Sequence, residues 1–293
     1  MKFNIESYLN LLPDNIIVID LSYKGISYIP DLSRFTKLEK LFCYENKLTS
    51  LPELNENLQL LSCSNNLLTS LKLNENLKTL FCSNNKLTSL KLNKKLETLS
   101  CQYNHLTSLQ LNENLQILAC SSNLLTSLKF NENLKDLSCD NNKLTSLQLN
   151  ENLEKLSCQR NQLTSLHLNK NLQILNCCNN QLISLHLNKN LKELFCHFNR
   201  LTYLHGLKKN LEIYYECNPI YEIINSCDTN IIQKIEVLNN FRHLYYCLKF
   251  KKRFRDFLWV KIREPKIRIK YSHDYLIENL HEDTDLDELL YNW

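Results

Sequence analysis

The chain has 293 residues and a formal net charge of +4, with 13 cysteines and only two glycines. That length is enough for a continuous core, and the small net charge argues against nucleic acid as the main partner. Gly25 and Gly206 stand far apart, so no glycine-rich phosphate loop exists and nucleotide binding by that route is excluded.

Residues 1–15 are expected to form an N-terminal cap with one short helix before Pro13, because the first strand of a stacked sheet would otherwise be a bare edge. They lack the basic head and long apolar run of a signal peptide. Periodicity begins at Ile16. The first unit, Ile16 to Lys37, has 22 residues and the second, Leu38 to Asn57, has 20. From Leu58, units of 19 residues run unbroken to Arg200. Leu58 to Leu73 reads LQLLSCSNNLLTSLKL and Leu77 to Leu92 reads LKTLFCSNNKLTSLKL. One unvarying asparagine marks the period, at Asn66, Asn85, Asn104, Asn123, Asn142, Asn161, Asn180, Asn199 and Asn218.

A unit this short cannot bury its own apolar face, so units must stack. Alternation places Leu61 and Cys63 on one side and Ser62 on the other, as a short strand requires. Stacked strands pair in parallel about 4.8 Å apart, and their apolar positions form columns. One column runs from Leu61 through Leu80, Leu99 and Leu118 to Leu194. Nineteen residues leave no room for a true helix on the outer face, where extended or 3₁₀ segments are expected. The periodic asparagine has a backbone role, offering two donors and an acceptor to buried groups where the strand turns away.

The unit L-x-x-L-x-C-x-x-N-x-L-T-S-L-x-L-N-x-N resembles the leucine-rich repeat, with Cys at the third apolar position, over residues 16–220. The second unit ends in the L-T-S-L-P of short bacterial-type repeats. The resemblance implies an α/β fold. Its parts would be a right-handed solenoid of about eleven repeats with one curved parallel β-sheet, an extended or 3₁₀ convex side, and an α-helical C-terminal cap over residues 221–293. It also implies a binding frame that takes many unrelated partners. The Asn-, Ile- and Lys-rich wording and the tail WVKIREPKIRIKYSHDYLIENL are similar to uncharacterised leucine-rich repeat proteins of giant DNA viruses, which implies work in a host cytoplasm or carriage in a virion. The piece LNLLPDNIIVIDLS resembles the start of an F-box and would imply a ubiquitin-ligase adaptor. It is much shorter than that module, and Ile16, Ile19 and Leu21 already fit the first unit.

Nine cysteines, Cys43, Cys63, Cys82, Cys101, Cys120, Cys139, Cys158, Cys177 and Cys196, form the third core column and read as small buried hydrophobes. There is no C-x-x-C pair and no clustered Cys/His spacing, so neither zinc nor another metal is expected. Many free thiols, no N-x-S/T sequon and no apolar run of membrane-spanning length together lead us to expect a soluble, cytoplasmic protein.

Function should lie in the outward columns. Phe42, Tyr44 and Phe81 put aromatics at one end of the concave face, and Phe195, His197 and Phe198 at the other. Between them the face is small and polar, with Gln102, Asp140 and Gln159 among its residues. Exposed aromatics on a sheet are candidate binding anchors, although they also stack on one another or on caps. His167, His186 and His205 recur at the period, but the same column upstream is Lys72, Lys91, Gln110, Lys129 and Gln148, an ordinary solvated face.

Beyond Tyr221 the repeat stops, and Asp228 to Lys261 reads as helix. Residues 249–270 hold ten basic residues, including Lys249, Lys251, Lys252, Arg253 and Arg255, against the two acids Asp256 and Glu264. Interleaved aromatics make this a candidate patch for nucleic acid or an anionic surface. The acidic tail that follows offers an internal partner instead. Some bacterial effectors with similar short repeats carry a ubiquitin-ligase domain with a catalytic Cys after the array. Cys227 sits in the corresponding place, but about 70 residues are too few for that domain. The expectation is a monomeric, non-catalytic scaffold with no cofactor, binding a protein, a host protein included, on its concave face.

Overall fold

The computed structural model describes residues 3–208, 210–224 and 264–265. The chain divides into two compact units, Met1–Ile235 and Glu236–Trp293, and the architecture below is that of the first. The helix expected over residues 228–261, the basic patch and the acidic tail fall outside the described residues, apart from Glu264 and Pro265.

A short helix, α1 (Ile5–Asn10), opens the fold. The Asn4 side chain caps it by accepting from the Ser7 backbone N–H at 3.0 Å, and the helix buries Ile5 and Leu9. Arg34 ties its C-terminal end to the first turn of the solenoid by donating to the Leu9 and Leu12 carbonyls. Tyr8 donates its hydroxyl to the Asp20 carbonyl on the first strand at 3.4 Å.

Thirteen strands of three residues follow. They are β1 (Val18–Asp20), β2 (Lys40–Phe42), β3 (Leu60–Ser62), β4 (Thr79–Phe81), β5 (Thr98–Ser100), β6 (Ile117–Ala119) and β7 (Asp136–Ser138). Then come β8 (Lys155–Ser157), β9 (Ile174–Asn176), β10 (Ser184–His186), β11 (Glu193–Phe195), β12 (Tyr203–His205) and β13 (Glu212–Tyr214). Eleven of them make one parallel sheet in chain order, and β10 pairs with β12 in a separate two-stranded sheet. The register never slips: Leu61 lies opposite Leu80, and Leu80 opposite Leu99. The result is a parallel solenoid with few helices, the fold that the repeat implied, and it has about ten turns against the eleven units expected. A six-residue helix, α2 (Pro219–Ile224), begins at the proline of Asn218-Pro219-Ile220.

Each strand carries its core leucine in the middle. Leu61, Leu80, Leu99 and Leu175 are wholly buried, each contributing roughly 1.5–3 kcal/mol of transfer free energy. The nine ladder cysteines are likewise fully buried and unpaired by disulfides. Burial pushes their thiols up, to about 12 for Cys43 and Cys101 and well above the ordinary range for Cys63, Cys82, Cys120, Cys139 and Cys177. Thiols held protonated inside a core are inert, so their number says less about the redox compartment than the sequence led us to expect.

Three asparagines per turn hold the backbone outside the strand. Asn123 is representative of the inner ladder. Its Oδ1 accepts from Leu106 N–H of the preceding turn at 3.0 Å, and its Nδ2 donates to the carbonyls of Cys101 and Cys120, both at 3.0 Å. The same bonds recur from Asn66 to Asn218. A second ladder bridges turns on the outer side, where Asn93 donates to the Asn74 and Leu77 carbonyls and Asn112 repeats the pattern on Asn93 and Leu96. A third, exposed ladder donates across turns from Asn114, Asn133 and Asn152.

A left-handed residue with φ between 52° and 58° recurs at eleven non-glycine positions from Tyr23 to Cys217, and from Glu45 onward it immediately precedes an inner-ladder asparagine. Asparagine, which tolerates this region best among residues with a side chain, fills Asn65, Asn84, Asn141 and Asn179. Gly206 is required by a close approach: at φ +85° a Cβ there would lie 2.7 Å from the Leu187 carbonyl oxygen.

The outer side is extended and bent, with no 3₁₀ turn among the described residues. In the last turns it becomes the β10–β12 sheet, announced by a single bridge between Gln148 and His167. Outer segments of adjacent turns already run parallel, and the β-branched Ile183 and Thr202 and aromatic Tyr203 favour pairing there.

Replacing Asn123 by Leu strands the Leu106 N–H and takes one of two donors from each of the Cys101 and Cys120 carbonyls, which keep those of Asn104 and Asn142. With one buried group left unpaired, urea unfolding should show a loss of about 1–3 kcal/mol. The thiol column predicts steep alkaline unfolding. Its folded pKa values are raised, so the stability it contributes is complete below the unfolded value of 9.0 and is lost as pH rises from there towards about 12. Each thiol removes up to about 1.4 kcal/mol per pH unit over that window. Melting temperatures between pH 8 and 10.5 should fall less steeply for Cys101→Ala/Cys120→Ala/Cys139→Ala than for the wild type.

Candidate functional site

Strand alternation gives each turn of the main sheet outward side chains both before and after the core leucine. A further outward residue follows the ladder cysteine. The resulting three columns make up the sheet face. The column before the leucine, from Lys40 through Ile117, Asp136 and Lys155 to Glu193 and Glu212, was missed in the sequence although strict alternation of x-L-x already places it there.

At the N-terminal end, Phe42 and Phe81 lie one turn either side of Ser62 in register. Phe81 is 36% exposed and Ser62 only 8%, so the two rings cover a serine that faces outward. Half-buried Tyr44 meets Tyr23 edge-on, with centroids 5.2 Å apart. From the middle of the sheet to β11, small residues form the floor of a shallow recess of about 310 Å³ lined by Ser138, Ser157, Ile174 and Asn176, with Asp136, Lys155 and Phe195 around it.

The polar candidates of this middle region are tied to their neighbours. Asp140 accepts from the Ser157 hydroxyl at 2.6 Å and the Gln159 backbone N–H at 2.9 Å. Gln102 Oε1 accepts from the hydroxyls of Ser83 and Ser100, each at 2.5 Å. These bonds stiffen the face across turns and leave Gln159 the freest of the three candidates.

At the C-terminal end, Phe195 and Tyr214 are register partners, and their rings stack 4.8 Å apart at an interplanar angle of 3°. The Tyr214 hydroxyl donates to Glu212 Oε1 at 2.6 Å, and this bond, with the charges of Glu212, Glu216 and Glu193 around it, raises its pKa. His197 Nδ1 lies 3.1 Å from Cys178 Sγ and leaves that thiol 1% exposed, although its column faces outward. Burial pushes the Cys178 thiol to about 11, so at neutral pH it is a protonated partner of the imidazole and no activated nucleophile. Tyr214 lies in a turn whose departures from the repeat, Ile213 for Leu and Tyr215 for Cys, hid it.

On the opposite side, exposed His186 and His205 sit 5.9 Å apart at their centroids, beside Tyr203. Among the described residues no three metal-ligating side chains converge. The patch of Lys249, Lys251, Lys252, Arg253 and Arg255 lies outside the described residues.

Solved structures share this architecture. YopM from Yersinia enterocolitica WA-314 superposes with a TM-score of 0.59 at 29% identity, over 71% of this chain and 56% of its own. YopM from Yersinia pestis, described as a leucine-rich effector protein, gives 0.63 at 27% identity over 71% and 68%. The fold is that of leucine-rich repeat proteins. A functional domain of InlJ from Listeria monocytogenes, which includes a cysteine ladder, gives 0.58 at 27% identity over 70% and 59%. The chain thus spans less than two thirds of the first and third of these. No protein-family model matches the sequence, and no curated protein matches it. No described helix is long and apolar enough to cross a membrane.

The Cys178–His197 pair gives a direct check on this geometry. Iodoacetamide at neutral pH, followed by peptide mass spectrometry, should label exposed Cys217 while sparing Cys178 and the ladder cysteines. His197→Ala should expose Cys178 to the reagent without changing the protection of Cys177.

Proposed function

We propose that the protein is a non-catalytic scaffold that binds a protein partner on the sheet face of its solenoid. The observation that carries this reading is the distribution of side chains on that face, with aromatic groups towards both of its ends and a small-residue recess that Phe195 borders on the C-terminal side. Large rigid side chains around a shallow floor are the usual anchors of a protein interface. The shared fold with leucine-rich repeat proteins, one of them an effector, supports a general protein-binding role. Candidate anchors are Phe42, Tyr44, Phe81, Phe195 and His197, with Gln102, Asp140 and Gln159 between them. The reading places the protein as a monomer in a reducing cytoplasm, that of a host cell for a viral source.

The adaptor alternative draws less support, because half of the F-box-like stretch is strand β1 and the core of the first turn. The nucleic-acid alternative rests wholly on residues 249–270.

The test begins with a pull-down from cytosolic extract, after which the captured protein is purified and titrated against wild type and Phe42→Ala/Phe81→Ala. Loss of two anchors worth about 1–2 kcal/mol each should weaken binding by about thirtyfold or more, with the circular dichroism spectrum unchanged. Undiminished affinity of the folded double variant would overturn the sheet-face assignment at that end.

A further inference from the structure

The two ends of the sheet face differ in charge as well as shape. Over the last three turns the outward positions are Ile174, Glu193 and Glu212 in one column and Asn176, Phe195 and Tyr214 in the next. Cys178, His197 and Glu216 make the third. These nine positions hold three carboxylates and no lysine or arginine. Among the described residues none of the three carboxylates has an ion-pair partner; the ion pairs there are Arg34–Asp14 and Lys72–Glu53, both elsewhere.

Parallel register explains why the groups gather. Phe195 opposite Tyr214 superposes two flat rings at the spacing of adjacent strands, and Glu193 opposite Glu212 sets two carboxylates beside them on the same face. The Tyr214 hydroxyl holds Glu212 from one side. Tyr214 is 39% exposed and Glu212 and Glu216 are exposed, so the assembly is open to a partner.

Resting on the scaffold reading, we propose that this end of the sheet face is the subsite for an arginine side chain on an extended segment of the protein partner. A guanidinium is planar, so it can lie against the Phe195–Tyr214 rings while its N–H groups reach the carboxylates of Glu193 and Glu212. It also sheds water more readily than an ammonium, which suits a half-buried apolar surface. Lysine offers a point charge without the plane, and a neutral side chain meets three carboxylates with nothing to give them. Glu216 lies across the rings from Glu193 and adds attraction that steers the approach.

The experiment uses the full chain as bait for a random dodecapeptide display library. The selected peptides are then synthesised with the arginine intact or replaced by lysine or citrulline. Selected peptides should share an arginine at one position. By fluorescence anisotropy, lysine there should weaken binding by about fivefold. Citrulline, which keeps the shape and removes the charge, should weaken it by about tenfold or more, and the difference should shrink with added salt. The arginine-over-citrulline preference should disappear in Glu193→Gln/Glu212→Gln, should fall in Phe195→Leu, and should survive Phe42→Ala/Phe81→Ala. No arginine enrichment, or a preference untouched by Glu193→Gln/Glu212→Gln, overturns the proposal. Peptides without arginine whose binding is lost in Phe42→Ala/Phe81→Ala would sink this subsite and leave the sheet-face reading standing. Binding indifferent to every sheet-face variant would sink both.

Discussion

The carboxamide bridge from one turn to the next is the constraint on which the rest of this molecule depends. A turn of 19 residues is too short for a helix on its outer side, so the outer backbone cannot satisfy its own polar groups. The strands are only three residues long and account for a small part of each turn. Asparagine closes the difference because a carboxamide both donates and accepts, and its reach spans two turns at once. The inner ladder takes a leucine N–H and a cysteine carbonyl from the preceding turn, and the outer ladders collect the carbonyls that remain. Aspartate could not substitute, since it would present a charge and no donor to a buried carbonyl.

That arrangement frees the sheet face. The core is supplied by the inward leucine and cysteine columns and the backbone bridges by the asparagines, so outward positions are free to vary from turn to turn. They do vary. Serines with the Gln102 and Asp140 side chains make a stiff polar centre, aromatic groups sit at both ends, and carboxylates collect at only one. The asymmetry along the face, set against the uniformity of the core, is what points to this side for recognition.

Much of the fold was legible because the period repeats with hardly an error. The columns through Leu61 and Cys63, the parallel stack and the role of the inner asparagine all follow from spacing and alternation alone. Other features depended on facts that spacing does not carry. The second and third asparagine ladders were not foreseen, because N-x-N fell in the half of the unit expected to be merely extended or 3₁₀, yet Asn93, Asn150 and Asn169 are buried. The left-handed residue in each turn was hidden because Tyr103, Arg160 and Phe198 stand where glycine would have announced it. Cys178 lies in an outward column, and alternation alone does not show that His197 beside it leaves it buried. The Phe195–Tyr214 stack was half visible, because the last turn breaks the motif in just the positions that mark the others.

The most direct measurement of the central claim is amide hydrogen exchange in the native protein at Leu87, Leu106, Leu125 and Leu144. Each of these N–H groups donates to a ladder asparagine side chain and to no backbone carbonyl. If the carboxamides hold the turns together, these amides will exchange as slowly as the strand amide of Leu118. Exchange as fast as an exposed loop would mean that the side-chain bridges open freely and that something other than the asparagine ladder joins the turns.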